Sequence, residues 1–378
     1  MSTTVIDTAV IGAGAAGLMV AAHLAERGVD FELYDEHARV GDAWRERYRS
    51  LRLFTPRPFL SLPGLPIEIG RFRYPTGAQL ADYLERYAMH FRLPVRMGVR
   101  VVSLNRAADG RFRLQLSDGD DVLAARVIVT TGAHRRPITP AFAASLDPSI
   151  RQLHSLGYQG PEQFADGPVL VVGAANSGTD VALEAAAAGH AVTLAGRHPG
   201  HVPIDIDRPL GNLMTAIFIR RLRNTTIDTE KGRAVRAQNA GHGVMLVRNS
   251  LKDLARAGVV QVGRIDSVEA GRPVTADGTA IDAATVVWCT GSRPELGWID
   301  LDGVVDERGL PIEHRGVASG CPGLGFVGMP FQYSVASETL MGMDRDARFV
   351  IDALLGGGAA PAATAEAVAV EAAPEVAA

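Results

Sequence analysis

Only two cysteines, Cys289 and Cys321, occur in the 378-residue chain, and they lie far apart. That scarcity argues against a disulfide-stapled secreted fold, and the missing CxxC pair disfavours dithiol chemistry. No long Lys/Arg run is present, and a net charge of -4 gives no electrostatic reason to expect nucleic acid as a partner. The ten histidines are scattered singly, so no cluster has metal-ligand spacing. No stretch is suited to crossing a bilayer. The most apolar one, Val5 to Leu24, contains Asp7, lacks a basic leader and is broken by Gly12, Gly14 and Gly17. These absences predict a cytoplasmic protein that uses no metal, membrane or nucleic acid.

What remains is an ordinary globular composition, 47% hydrophobic and 21% charged, with enough length for two or three domains. Its dominant feature is an internal echo. DTAVIGAGAAGLMVAAHLAERGVDFELYDEH and GPVLVVGAANSGTDVALEAAAAGHAVTLAGRH each read as apolar strand, small-residue turn, Ala-rich helix and second apolar strand. A βαβ unit of about 30 residues, found twice, predicts an α/β fold with two Rossmann-like dinucleotide-binding domains. Arg111 to Leu116, Val122 to Thr130, Val259 to Val262, Ile265 to Val268 and Thr285 to Cys289 add strands; Gln79 to Phe91 and Asp344 to Leu355 add helices. Both domains end in matching strand exits, VIVTTGAHRRP and TVVWCTGSRPE, which predicts that the second domain is inserted into the first. The expected boundaries are 1–160 and 291–355 for the first domain, 161–290 for the second, and 356–378 for a disordered, Ala-rich tail.

Gly12, Gly14 and Gly17 form GxGxxG between a strand and a helix, with Ala13 and Ala16 in the same turn. The first glycine permits the tight turn, the second admits a pyrophosphate and the third lets helix and strand pack closely. Asp35 ends the second strand, about 20 residues on, where an acid holds a ribose diol. The second loop reads Gly173, Ala175, Asn176, Ser177, Gly178, with alanine at the point of closest backbone approach. Its second strand ends in Arg197 rather than an acid, which favours a 2′-phosphate and hence NADPH. Two loops imply two ligands: a tightly held flavin and a transient nicotinamide coenzyme exchanging hydride.

These motifs, with GDAWRERYRSLRLFTPR, HSLGY, CTGSRPE and GFVGMPFQYSVASETLMGMDRDA, resemble the class B flavin-dependent monooxygenases: flavin-containing monooxygenases, their bacterial homologues and the YUCCA-type enzymes. The resemblance covers nearly everything but the tail. It implies an FAD- and NADPH-dependent enzyme that uses O2 to oxygenate a small molecule at N or S through a C4a-hydroperoxyflavin. It implies further that Gly41, Trp44, Arg45, Val102, Thr131, Gly132 and Gln332 serve FAD, and that His154, Tyr158, Thr290 and Gly291 serve NADPH. Family members often carry Asn or His where Phe54 stands here, which leaves the neighbouring Thr55, with Asn176, as the catalytic candidates. Asp42 replaces a family glycine, and Pro148 and Ile150 interrupt the fingerprint ahead of His154. An NADPH reductase or oxidase without oxygen insertion, and a flavin redox sensor without turnover, are the competing readings. Substrate identity and oligomeric state are not legible.

Overall fold

The computed structural model describes residues 3–70, 73–202, 209–239 and 245–356. The apolar run Val169–Val172 and the largely apolar Thr285–Trp288 are buried at every residue. Strands of that kind suit parallel sheets covered on both faces. Two such sheets form.

In the first, five parallel strands run in the order Val95–Met97, Phe31–Asp35, Thr3–Ile11, Asp121–Val129, Leu324–Phe326. Val317–Ala318 and Glu313–His314 extend it antiparallel at one edge. A hairpin of Val101–Arg106 and Phe112–Leu116 pairs antiparallel with the first half of Asp121–Val129. One face buries its apolar side chains against the helices Ala15–Glu26, Gly77–His90 and Leu340–Leu355. The middle helix starts with a reciprocal cap: Thr76 Oγ1 accepts from Gln79 N and Gln79 Oε1 accepts from Thr76 N.

The second sheet is wholly parallel, in the order Arg151–His154, Thr285–Trp288, Val169–Val172, Val192–Ala195, Val260–Val262. Residues 151–288, which supply it, lie in the chain between the fourth and fifth parallel strands of the first sheet. The expected start of this unit at residue 161 misses the Arg151–His154 strand. RQLH shows no run of apolar residues, and it joins as an edge strand through backbone pairing with Thr285–Trp288. The terminal helix likewise begins at Leu340, four residues ahead of expectation. The expected tail, beyond Gly356, lies outside the described residues.

Just beyond the two matching strand exits, Arg136–Pro137 pairs antiparallel with Ser292–Arg293. This short ladder ties the carboxyl end of one sheet to that of the other, where α/β proteins bind ligands.

Candidate active site

The two loops have the same backbone shape. Gly12 and Gly173 take φ of +107° and +109°, a region that L side chains rarely adopt. A Cβ on Gly12 would lie 2.7 Å from the Thr130 carbonyl oxygen, and one on Gly173 would lie 2.3 Å from that of Cys289. Gly17 and Gly178 are equally required, since a Cβ on either would strike the carbonyl oxygen of the loop's first glycine. The first and third glycines thus serve the protein's own packing.

Gly14 is different. Its φ of -72° and ψ of -174° suit any residue, and a Cβ built there meets nothing within 4 Å. No protein contact demands glycine at this point, and the space over the backbone is open. The first bond of the following helix runs from Leu18 N to Gly14 O, which leaves the amides of residues 14–17 at the helix start open to a phosphate. Asp35 is pre-aimed beside the loop: Oδ2 accepts from Ala13 N at 2.6 Å, and Oδ1 accepts from His37 N at 2.9 Å and meets His37 Nδ1 at 2.7 Å. Burial pushes the Asp35 carboxyl up, but these hydrogen bonds outweigh it and the net shift is downward; the Asp35 bond raises His37 in turn. A cavity of about 530 Å³ opens below, lined by Glu36, His37, Gly98, Arg100 and Arg135 among others. Thr130 Oγ1 is spent on the Ile11 and Gly12 carbonyls, whereas Thr131 Oγ1, at the same strand exit as Gly132, is buried without a partner. An open cradle, a directed carboxylate and an orphaned hydroxyl fit FAD.

In the second loop Ala175 takes Gly14's place, with φ of -84° and ψ of -169°, so one methyl occupies the corresponding position. The side chain of Asn176 is turned to protein: Nδ2 donates to Met245 O at 3.1 Å and Oδ1 accepts from Val247 N at 3.2 Å. Ser177 and Gly178 follow in the first helical turn. Arg197 stands exposed just beyond the Val192–Ala195 strand, with no ion pair among the described residues. Thr290 Oγ1 donates to Ile138 O, and Gly291 O accepts from His154 Nε2 at 3.1 Å. Because Leu156 N donates to His154 Nδ1, the proton sits on Nε2 and the ring is neutral.

Burial, with the nearby Arg47 charge, depresses the His154 pKa. The depressed value gives a stabilising contribution that is present above the ordinary imidazole pKa and is lost as pH falls through the folded value. Thermal midpoints of the wild type and of His154→Gln should therefore converge on acidification from about pH 7 to 5. A gap that widens would contradict the neutral assignment.

Several expected cofactor residues are engaged elsewhere. Arg45 bonds Val40 O, Asp42, Asp82 and Glu85, anchoring its segment to the Gly77–His90 helix; Asp42, in the place of the family glycine, completes that pairing. Gly41 is required by packing, since a Cβ there would sit 2.6 Å from Ala81 O, and Trp44 packs partly buried on the first core. Tyr158 is fully buried, stacked on Phe164 and donating to Glu184 at 3.0 Å. Gln332 is buried too, donating to Phe326 O at 2.6 Å between the return strand and the terminal helix, with Oε1 left without a partner. Val102 lies exposed on the hairpin. Of the adjacent pair, Phe54 turns outward at 40% exposure and Thr55 inward at 7%. Arg47 was missed by sequence reasoning. Its Nε is buried without a partner, and its charge reaches His154 and Cys289. Lying in the run WRER, it carries no signal that separates it from a solvated charge. Cys289 itself is an inert thiol, pushed by burial up to about 12. Among the described residues no group of His, Cys and carboxylates can hold a metal, and no helix is long and apolar enough to cross a membrane.

Two glycine loops at the ends of two parallel sheets, with their strand exits joined by one ladder, define a two-dinucleotide oxidoreductase. Residues 9–242 match the family described as pyridine nucleotide-disulphide oxidoreductase, and the chain belongs to that family. It is 35% identical over 353 residues to an uncharacterized CzcO-like oxidoreductase of Geobacillus kaustophilus, covering 93% of this chain and 99% of that protein. It is 34% identical over 202 residues to the indole-3-pyruvate monooxygenase YUCCA1 of rice, about half of each chain. A flavin-containing monooxygenase from Stenotrophomonas maltophilia superposes with a TM-score of 0.75 at 27% identity, over 94% of this chain and 99% of that one. Within its family the chain is thus an FAD-dependent oxidoreductase of the class B flavin monooxygenase group.

Proposed function

We propose that this protein is an NADPH-dependent flavin monooxygenase that places one oxygen atom of O2 on nitrogen or sulfur of a small organic substrate. The reading is carried by the pairing of an open Gly14 cradle in one sheet with a second glycine loop in the other, their strand exits joined by the Arg136–Pro137 and Ser292–Arg293 ladder. The similarity to YUCCA1, named a monooxygenase, supports it over half the chain. NADPH supplies two electrons; one oxygen atom ends on the substrate and the other leaves as water.

The first loop, Asp35, Thr131 and Gly132 would hold FAD, which when bound supplies hydride acceptance and oxygen activation. The second loop, Arg197, Thr290 and Gly291 would hold NADPH. A buried donor without a partner is costly, so Arg47, whose Nε is in that position, would meet an anionic group of a ligand. Thr55, turned inward where family members often carry Asn or His one position earlier, would donate a hydrogen bond to the reacting oxygen.

The test is anaerobic reduction of the flavin by NADPH, followed by admission of O2 with a panel of amines and thioethers, scored by oxygenated product. A flavin that NADPH does not reduce would refute the reading; stoichiometric peroxide with every substrate would favour the oxidase. Thr55→Val should raise peroxide release without substrate by about tenfold, the worth of one charge-assisted hydrogen bond. Peroxide release at the wild-type rate would remove Thr55 from the site.

A further inference from the structure

The helix that carries the second glycine loop, Asn176–Ala187, is gripped from outside its own sheet through one carboxylate. Asp180 lies one turn beyond Asn176, and its side chain is 10% exposed. Its Oδ2 accepts from the Tyr48 hydroxyl at 2.9 Å; its Oδ1 accepts from Arg248 Nη2 at 2.7 Å and Asn249 Nδ2 at 2.5 Å. Tyr48 belongs to the segment that holds Gly41 and Trp44 against the first core. Arg248 also reaches this segment, donating to Arg52 O at 3.2 Å. A third tie is Arg49 N to Gln159 O at 3.0 Å. The strip that presents Arg248 and Asn249 is the same one that binds both ends of the Asn176 side chain. Asp180 therefore joins three things: the loop helix of the second sheet, the 41–57 segment of the first, and the strip laid over the loop.

We propose that Asp180 is a positioning residue that sets the separation of the two dinucleotide loops, and with it the distance over which hydride passes from nicotinamide to flavin. The proposal rests on the assignment of the second loop to NADPH. Hydride transfer is steep in geometry, and a misplacement of about 1 Å costs on the order of a hundredfold in rate. Ionised Asp180 accepts all three donors. Asparagine removes the charge that Arg248 meets and puts an N–H donor on the Tyr48 side, where the hydroxyl would have to reverse from donor to acceptor, so Asp180→Asn weakens the clamp at both ends. Glu184 supplies the control. One turn further along the same helix, it accepts the Tyr158 hydroxyl within the second sheet's own core.

The experiment compares the full-length holoproteins of wild type, Asp180→Asn, Tyr48→Phe and Glu184→Gln. It measures FAD content, anaerobic flavin reduction at saturating NADPH, and amide exchange of peptides spanning 44–51 and 245–250. Asp180→Asn should keep its FAD, reduce at least tenfold more slowly at saturation, and exchange faster in both peptides. Tyr48→Phe should slow reduction about threefold, and Glu184→Gln should leave the rate unchanged. Wild-type rates in Asp180→Asn, or an equal loss in Glu184→Gln, would overturn the proposal. Should Asp180→Asn fail to hold FAD, Tyr48→Phe decides: a slowed reduction supports the clamp and a wild-type rate refutes it. If NADPH fails to reduce even the wild type, the coenzyme assignment falls. The exchange data then judge the clamp alone, which unchanged protection in Asp180→Asn would refute.

Discussion

Gly14→Val is expected to give folded protein that purifies without FAD. The backbone at Gly14 is extended, so valine meets no conformational penalty, and its Cβ enters space that no protein atom contests. The branched side chain would instead fill the cradle where a pyrophosphate must approach the main chain. Gly12→Val and Gly17→Val are poorer tests, because a side chain at either position collides with a backbone carbonyl and threatens the fold itself. Flavin absorbance per mole of protein should fall at least about tenfold while the circular dichroism spectrum is retained, a loss of about 1.4 kcal/mol or more in binding. A yellow Gly14→Val protein with full flavin content would move the FAD site elsewhere.

Arg197→Ala carries the second large effect. Arg197 is exposed, unpaired among the described residues and just past the strand that follows the second loop, and is proposed to meet the 2′-phosphate. Removing one charge-assisted contact should raise the KM for NADPH by about 10- to 100-fold. NADH has no 2′-phosphate, so its KM should change less than about twofold by the same reasoning. Steady-state oxidation of both coenzymes measures the contrast. Equal losses for the two would remove the phosphate contact and leave Arg197 a solvated surface charge. Ala175 stands at the corresponding point of the second loop, where its methyl occupies the position that Gly14 leaves open.

The βαβ echoes were legible because each is a local pattern. A buried parallel strand is an apolar run, a tight turn needs glycine at a positive φ, and an acid at the next strand end marks a ribose. Elements without such a local signature were missed. The Arg151–His154 strand exists through pairing with Thr285–Trp288, some 130 residues away, and its own residues carry no apolar pattern. Arg45 and Arg47 illustrate the same limit. Two residues apart in WRER, one is consumed by Asp82 and Glu85 while the other keeps a buried Nε without a partner. Only the fold tells them apart.

The amino-acid order alone determined that this chain builds two dinucleotide turns and which glycines shape them, because those constraints act within one strand, turn and helix. Tertiary structure decided which polar groups remain free once folding is complete. Thr131 Oγ1 and Arg47 Nε are left unpaired, while Tyr158, Gln332 and Arg45 are drawn into internal bonds. It also decided that Asp180 would span the two halves. A side chain's availability depends on partners brought from distant parts of the chain, and no local pattern records who those partners are.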